Sequence, residues 1–152
     1  MNVDEIIMKF VEYLPLYVLF CVIPGIIAVK LRLLSLTRRD LVDLVILSIY
    51  APIFEEFAFR GIPLFLFGIP GLIVGNLFWI IMHPFARSWS FREFVSGLPG
   101  AFLFYGSASI FYSILWINSD WMLALLFHAF HNFAVWLGRV MACREEFKYV
   151  HD

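Results

Sequence analysis

Glutamates at 55 and 56, an arginine at 60, histidines at 83, 128 and 131 and an asparagine at 132 stand inside otherwise apolar runs. A carboxylate beside an imidazole can take a proton from water and make that water nucleophilic. An imidazole together with a carboxamide can donate hydrogen bonds to a developing oxyanion. The set therefore contains the parts of a water-activating hydrolase for an amide or ester. No serine or cysteine has an evident paired base, so a covalent nucleophile is not expected. Glu56 and Arg60 are four residues apart and can pair on one helical face. Glu55 is rotated by about 100° from Glu56, so one glutamate can be held by the arginine while the other faces a cavity. His128 and Asn132 share a face in the same way, and His131 is displaced sideways from them.

Charges in such surroundings need elements that can position them. The chain has 152 residues, 62% of them hydrophobic and only 15% charged, where a soluble domain carries nearer a quarter charged residues. Mean hydropathy is +0.88. This composition predicts an integral membrane protein, and the net charge of -1 gives no reason to expect nucleic acid as a partner. Apolar stretches cover 14–29, 40–67, 72–85, 98–117 and 121–142. Alternating short strands are absent, so helices must satisfy the backbone in lipid. The expected fold is all-α, with about five transmembrane helices in one bundle around a polar intramembrane cavity. Residues 4–13 either extend the first helix or lie on the surface, and the acidic start of the chain does not read as a cleaved signal peptide. Cys21 and Cys143 read as free thiols.

Basic residues sort by loop. Lys30, Arg32, Arg38 and Arg39 follow the first stretch, Arg87 and Arg92 the third, and Arg139, Arg144 and Lys148 the fifth, while "FGIPG" and "INSD" hold none. By the positive-inside rule the N-terminus is expected outside and the C-terminus in the cytoplasm. With that topology, Glu55, Glu56, His83, His128 and Asn132 all lie roughly 12–18 Å from the outer ends of their helices. They occupy one layer near the middle of a core about 30 Å thick. Polar groups at such depth usually mark function. Pro52 and Pro63 bracket the charged stretch and Pro84 follows His83, and prolines there are expected to help open a polar cavity.

Three motifs carry a resemblance. "EEFAFRG" (Glu55 to Gly61), "WIIMH" (Trp79 to His83) and "HAFHN" (His128 to Asn132) resemble the EExxxR, FxxxH and HxxxN motifs of the CAAX prenyl endopeptidase group. These are the glutamate intramembrane proteases grouped with the ABI or CPBP proteins. The second motif departs from the pattern, with Trp79 where Phe is usual. The resemblance implies that Glu55 activates water with help from His83. It implies an oxyanion hole of His128 and Asn132, a supporting pair of Glu56 and Arg60, and no bound metal. His131 matches no motif position and reads as structural or facing the lipid interface.

The whole chain, 1–152, reads as a single membrane domain. Residues 40–142 form a protease-like core carrying the three motifs, and 1–39 an added N-terminal helix and basic loop. The implied activity is an intramembrane endopeptidase working near the bilayer without a covalent intermediate. Its partners would be the lipid bilayer and a peptide or protein substrate, prenylated or not. Two other readings stand beside it. One is a zinc-dependent membrane hydrolase using Glu55, His83, His128 and His131, although no HExxH run occurs. The other is a non-enzymatic partner-binding or immunity protein. In plainer terms, Glu55, Glu56 and Arg60 would lock helix register, His83 would bond a freed carbonyl, and His128 and Asn132 would join helices. On helix four, Gly106, Ala108, Ser109 and Ser113 read as close-packing residues, and Tyr105 and Tyr112 as packing rather than groove-lining.

Overall fold

A computed structural model describes residues 2–31, 33, 44–86 and 88–148, with side chains as far as 138. Cys143 and most of the first basic loop therefore lie outside the described side chains. The described residues are all-helical: α1 (Val3–Lys30), α2 (Ile46–Phe85), α3 (Phe91–Ile117) and α4 (Trp121–Lys148). Four helical segments, where five spans were expected, are long and apolar enough to cross a membrane. The second and third apolar stretches run on as one segment, α2, bent at Gly68 (φ 64°, ψ -150°). Only glycine visits that backbone region readily. Residues 4–13 belong to α1 as a straightforward continuation.

The bend at Gly68 turns α2 into two antiparallel limbs. Indole Nε1 of Trp79 reaches Glu55, Gly75 abuts the Phe59 carbonyl, and Gly71 abuts the Pro63 carbonyl. A Cβ at either glycine would overlap those backbone oxygens. "GLIVG" (Gly71 to Gly75) is thus a small-residue face of the kind that lets membrane helices approach closely. The four-residue spacing of the two glycines is legible in the sequence.

Prolines shape the limbs by a repeated device. Ile23, Ala51 and Ile62 each precede a proline, and each donates its N–H to the carbonyl five residues back, on Val18, Ile46 and Phe57 respectively. These are single wide π turns. Widening the turn makes room for a pyrrolidine ring that would otherwise press on the carbonyl four residues earlier. Two of these turns, Ile46–Tyr50 and Phe57–Gly61, flank the paired glutamates. They also leave carbonyls without helical donors. Ala51 is turned to Ile46 and Pro52 has no N–H, so the Leu47 carbonyl is open to a partner from elsewhere.

The burial pattern is inverted relative to a soluble protein. Phe65 is 88% exposed and Phe67 70%, while Glu56 and Arg60 are fully buried. An apolar exterior over a charged interior fits a bilayer as solvent. With four such helices this is a multi-pass membrane protein. α1 packs onto α3 and α4 through aromatic rings, Phe10 stacking on Phe127 at 4.2 Å and Tyr17 tilting against Phe111 and Phe127. At one end, Lys9 and Tyr13 bind the buried carboxylate of Asp120, which precedes α4. At the start of α3, the Ser90 hydroxyl accepts from the Glu93 N–H and the Glu93 carboxylate accepts from the Trp89 N–H, and Trp89 is 98% exposed, as an interfacial segment would be.

Candidate active site

Glu55 and Glu56 diverge as their 100° offset requires. Glu56 points inward. Its Oε1 accepts from Arg60 at 2.8 Å and faces Nδ1 of His128 at 2.7 Å, and its Oε2 accepts from the Trp116 indole at 2.7 Å. Arg60 donates to Ser109 and lies over the Trp79 ring at 4.3 Å. Every strong contact of this carboxylate is therefore with a donor or a cation, which is what a charge at membrane depth needs.

Glu55 is partly exposed, on the wall of a cavity. Its Oε2 accepts from Trp79 Nε1 at 2.6 Å and stands 3.6 Å from His128 Nε2. His128 thus sits between the two glutamates, one nitrogen toward each. Its ring stacks on Tyr112 at 4.9 Å, which fixes the ring plane.

His83 lies one turn beyond Trp79. Its Nδ1 is 2.8 Å from the Trp79 carbonyl. A carbonyl only accepts, so Nδ1 carries the hydrogen and Nε2 is the accepting nitrogen of the neutral ring. The ring stacks on Tyr105 with centroids 3.8 Å apart. The carbonyl held by His83 is not that of Ile80, which Pro84 deprives of its donor. Asn132 donates Nδ2 to the Leu47 carbonyl at 2.7 Å, the oxygen left open by Pro52. One hydrogen of that amide remains for another acceptor.

Glu55, His83, His128 and Asn132 all line one cavity of about 80 Å³, with His131, Tyr105 and Tyr112 also in its wall. That is room for a few waters. Tyr105 and Tyr112 were expected to be packing residues, and they do pack, but on the rings of His83 and His128. His131 is buried, not at a lipid interface, and its Nδ1 lies 3.1 Å from the Tyr17 hydroxyl. Among the described residues no three His, Cys, Asp or Glu side chains gather as a metal site would need. The residues missed by sequence reasoning are Trp79, as a donor to Glu55, and Trp116, as a donor to Glu56. A tryptophan in place of phenylalanine at position 79 was the signal.

Residues 37–134 match the family of type II CAAX prenyl endopeptidases, Rce1-like. The chain belongs to that family. The match spans both limbs of α2, all of α3 and α4 as far as Ala134, so it contains Glu55, His83, His128 and Asn132. α1 lies outside it. No curated protein and no solved structure gave a match. As a member of the Rce1-like family the chain is a membrane protein of a protease family, for which peptide substrates in a lipid setting follow.

Proposed function

We propose that this chain is an intramembrane endopeptidase in which Glu55 is the general base. A water in the cavity would donate a hydrogen bond to Glu55 and another to Nε2 of His83. Glu55 takes the proton as the water oxygen bonds to the scissile carbonyl carbon. The carbonyl electrons move onto oxygen, and the oxyanion receives hydrogen bonds from His128 Nε2–H and the spare Asn132 amide hydrogen. Collapse breaks the C–N bond, and the proton held by Glu55 passes to the leaving amine. No enzyme atom is bonded to the substrate at any stage. For Nε2 to donate while Nδ1 faces a carboxylate, His128 carries both protons. Glu56 and Arg60 position His128.

The observation that supports this reading is the convergence of Glu55, His83, His128 and Asn132 on one cavity, from α2 and α4. The chemistry calls on no metal. The test is cleavage of a farnesylated fluorogenic CAAX peptide by purified protein in lipid nanodiscs. Glu55→Gln should abolish turnover with the fold retained; turnover equal to wild type would remove Glu55 from the role of base. Elemental analysis and chelator treatment of the active protein separate the zinc-dependent alternative.

We also propose an N-terminus outside and a C-terminus in the cytoplasm. That orientation needs the two limbs of α2 to cross separately, for which their antiparallel packing gives support. Labelling of single cysteines placed at each end, in intact cells, tests it.

A further inference from the structure

A second, apolar groove of about 500 Å³ runs between α1 and α4. It shares Phe104, Tyr105, His131 and Val135 with the polar cavity, so the two spaces are neighbours with His131 on their common wall. His131 is 8% exposed. Its Nδ1 is bonded to the Tyr17 hydroxyl, and its Nε2 is buried with no partner among the described residues. Among the described residues His131 is the only hydrogen-bond partner of the Tyr17 hydroxyl, so the hydroxyl donates to Nδ1. The imidazole then carries its own hydrogen on Nε2. A buried N–H without an acceptor is costly, and such a group beside a catalytic cavity calls for an acceptor that arrives with the substrate.

We propose that this groove holds the apolar peptide segment next to the cut bond, and that His131 Nε2–H donates to a backbone carbonyl of that segment. The inference rests on the proteolytic reading above. A peptide offers a carbonyl at each residue. A lipid acyl chain in the same groove offers none and would leave the N–H unmet. Tyr17 is then a positioning residue: it sets the tautomer that makes His131 a donor. It comes from α1, which lies outside the segment matching the family. The added N-terminal helix is in this view one wall of the substrate site.

The test uses the full chain in nanodiscs with a dansylated farnesyl-CAAX peptide. KM and kcat are measured in the wild-type background, and peptide affinity by fluorescence polarisation in the Glu55→Gln background. His131→Phe should raise KM and weaken binding about tenfold with kcat nearly unchanged, the pattern of lost uniform binding. His131→Gln, which keeps an N–H, should recover most of that loss. Tyr17→Phe should move in the same direction, and the double variant should be no worse than His131→Phe alone. Unchanged KM and affinity in folded His131→Phe overturn the proposal. If His131→Phe does not fold, Tyr17→Phe decides, because it removes a single hydroxyl; unchanged KM there overturns it too. Should Glu55→Gln cleave like wild type, the base assignment falls while the polarisation assay still reads His131.

Discussion

Nδ1 of His128 lies 2.7 Å from Oε1 of Glu56, the same carboxylate oxygen that accepts from Arg60. The motif histidine of α4 is therefore tied to the second glutamate of α2, and the supporting pair is a supporting triad. Removing Glu56 should harm the fold as well as the site. Glu56→Ala leaves the fully buried Arg60 without its counter-ion, at a cost of about 3–5 kcal/mol. Thermal unfolding in detergent, followed by loss of the monodisperse peak, should show it.

Glu55→Gln should behave in the opposite way. Glu55 is on the cavity wall, and a glutamine oxygen can still accept from the Trp79 indole. Stability should stay near wild type while kcat falls by about 10²–10⁴-fold, the usual contribution of a general base. Unfolding midpoint and peptide turnover on the same preparation separate the two effects.

Asn132 has two hydrogens with two tasks. One holds the Leu47 carbonyl, and the other is assigned to the oxyanion. Asn132→Ala should lower kcat by about 10²–10³-fold with a small change in KM, as expected for an oxyanion donor. Asn132→Leu, closer in volume, should give the same kinetic loss. A loss seen only in KM would speak against the assignment.

Glycine positions predict a sharp contrast in stability. Gly75→Ala places a methyl on the Phe59 carbonyl and should drive the limbs of α2 apart, with loss of folded protein. Gly106→Ala meets only Ile80 at 3.8 Å, an ordinary contact, and should be tolerated. Yield of folded protein from membranes compares them directly.

Much of the site could be read before any coordinates. The spacing of Glu55, Glu56 and Arg60 on a helix already separates the two carboxylates, because 100° per residue is a property of the backbone. The four-residue spacing of His128 and Asn132 places them on one face for the same reason. What spacing does not contain is the partner of each group. Trp79 and Trp116 reach the glutamates from 24 and 60 residues away, and Tyr17 reaches His131 from 114 residues away. Nor does spacing show that a glycine at positive φ joins the second and third apolar stretches into one bent segment.

The sequence by itself determined that this chain lives in a membrane, is helical, and buries a small set of ionisable groups. Those follow from composition and from helical period, which are local quantities. Only the tertiary structure decided which carboxylate is sealed and which is open, and that the N-terminal helix joins the wall of the apolar groove beside the cavity. Hydrogen-bond partners are chosen by packing between helices distant in sequence, and the carbonyls that prolines set free acquire a use only when another helix brings a donor to them.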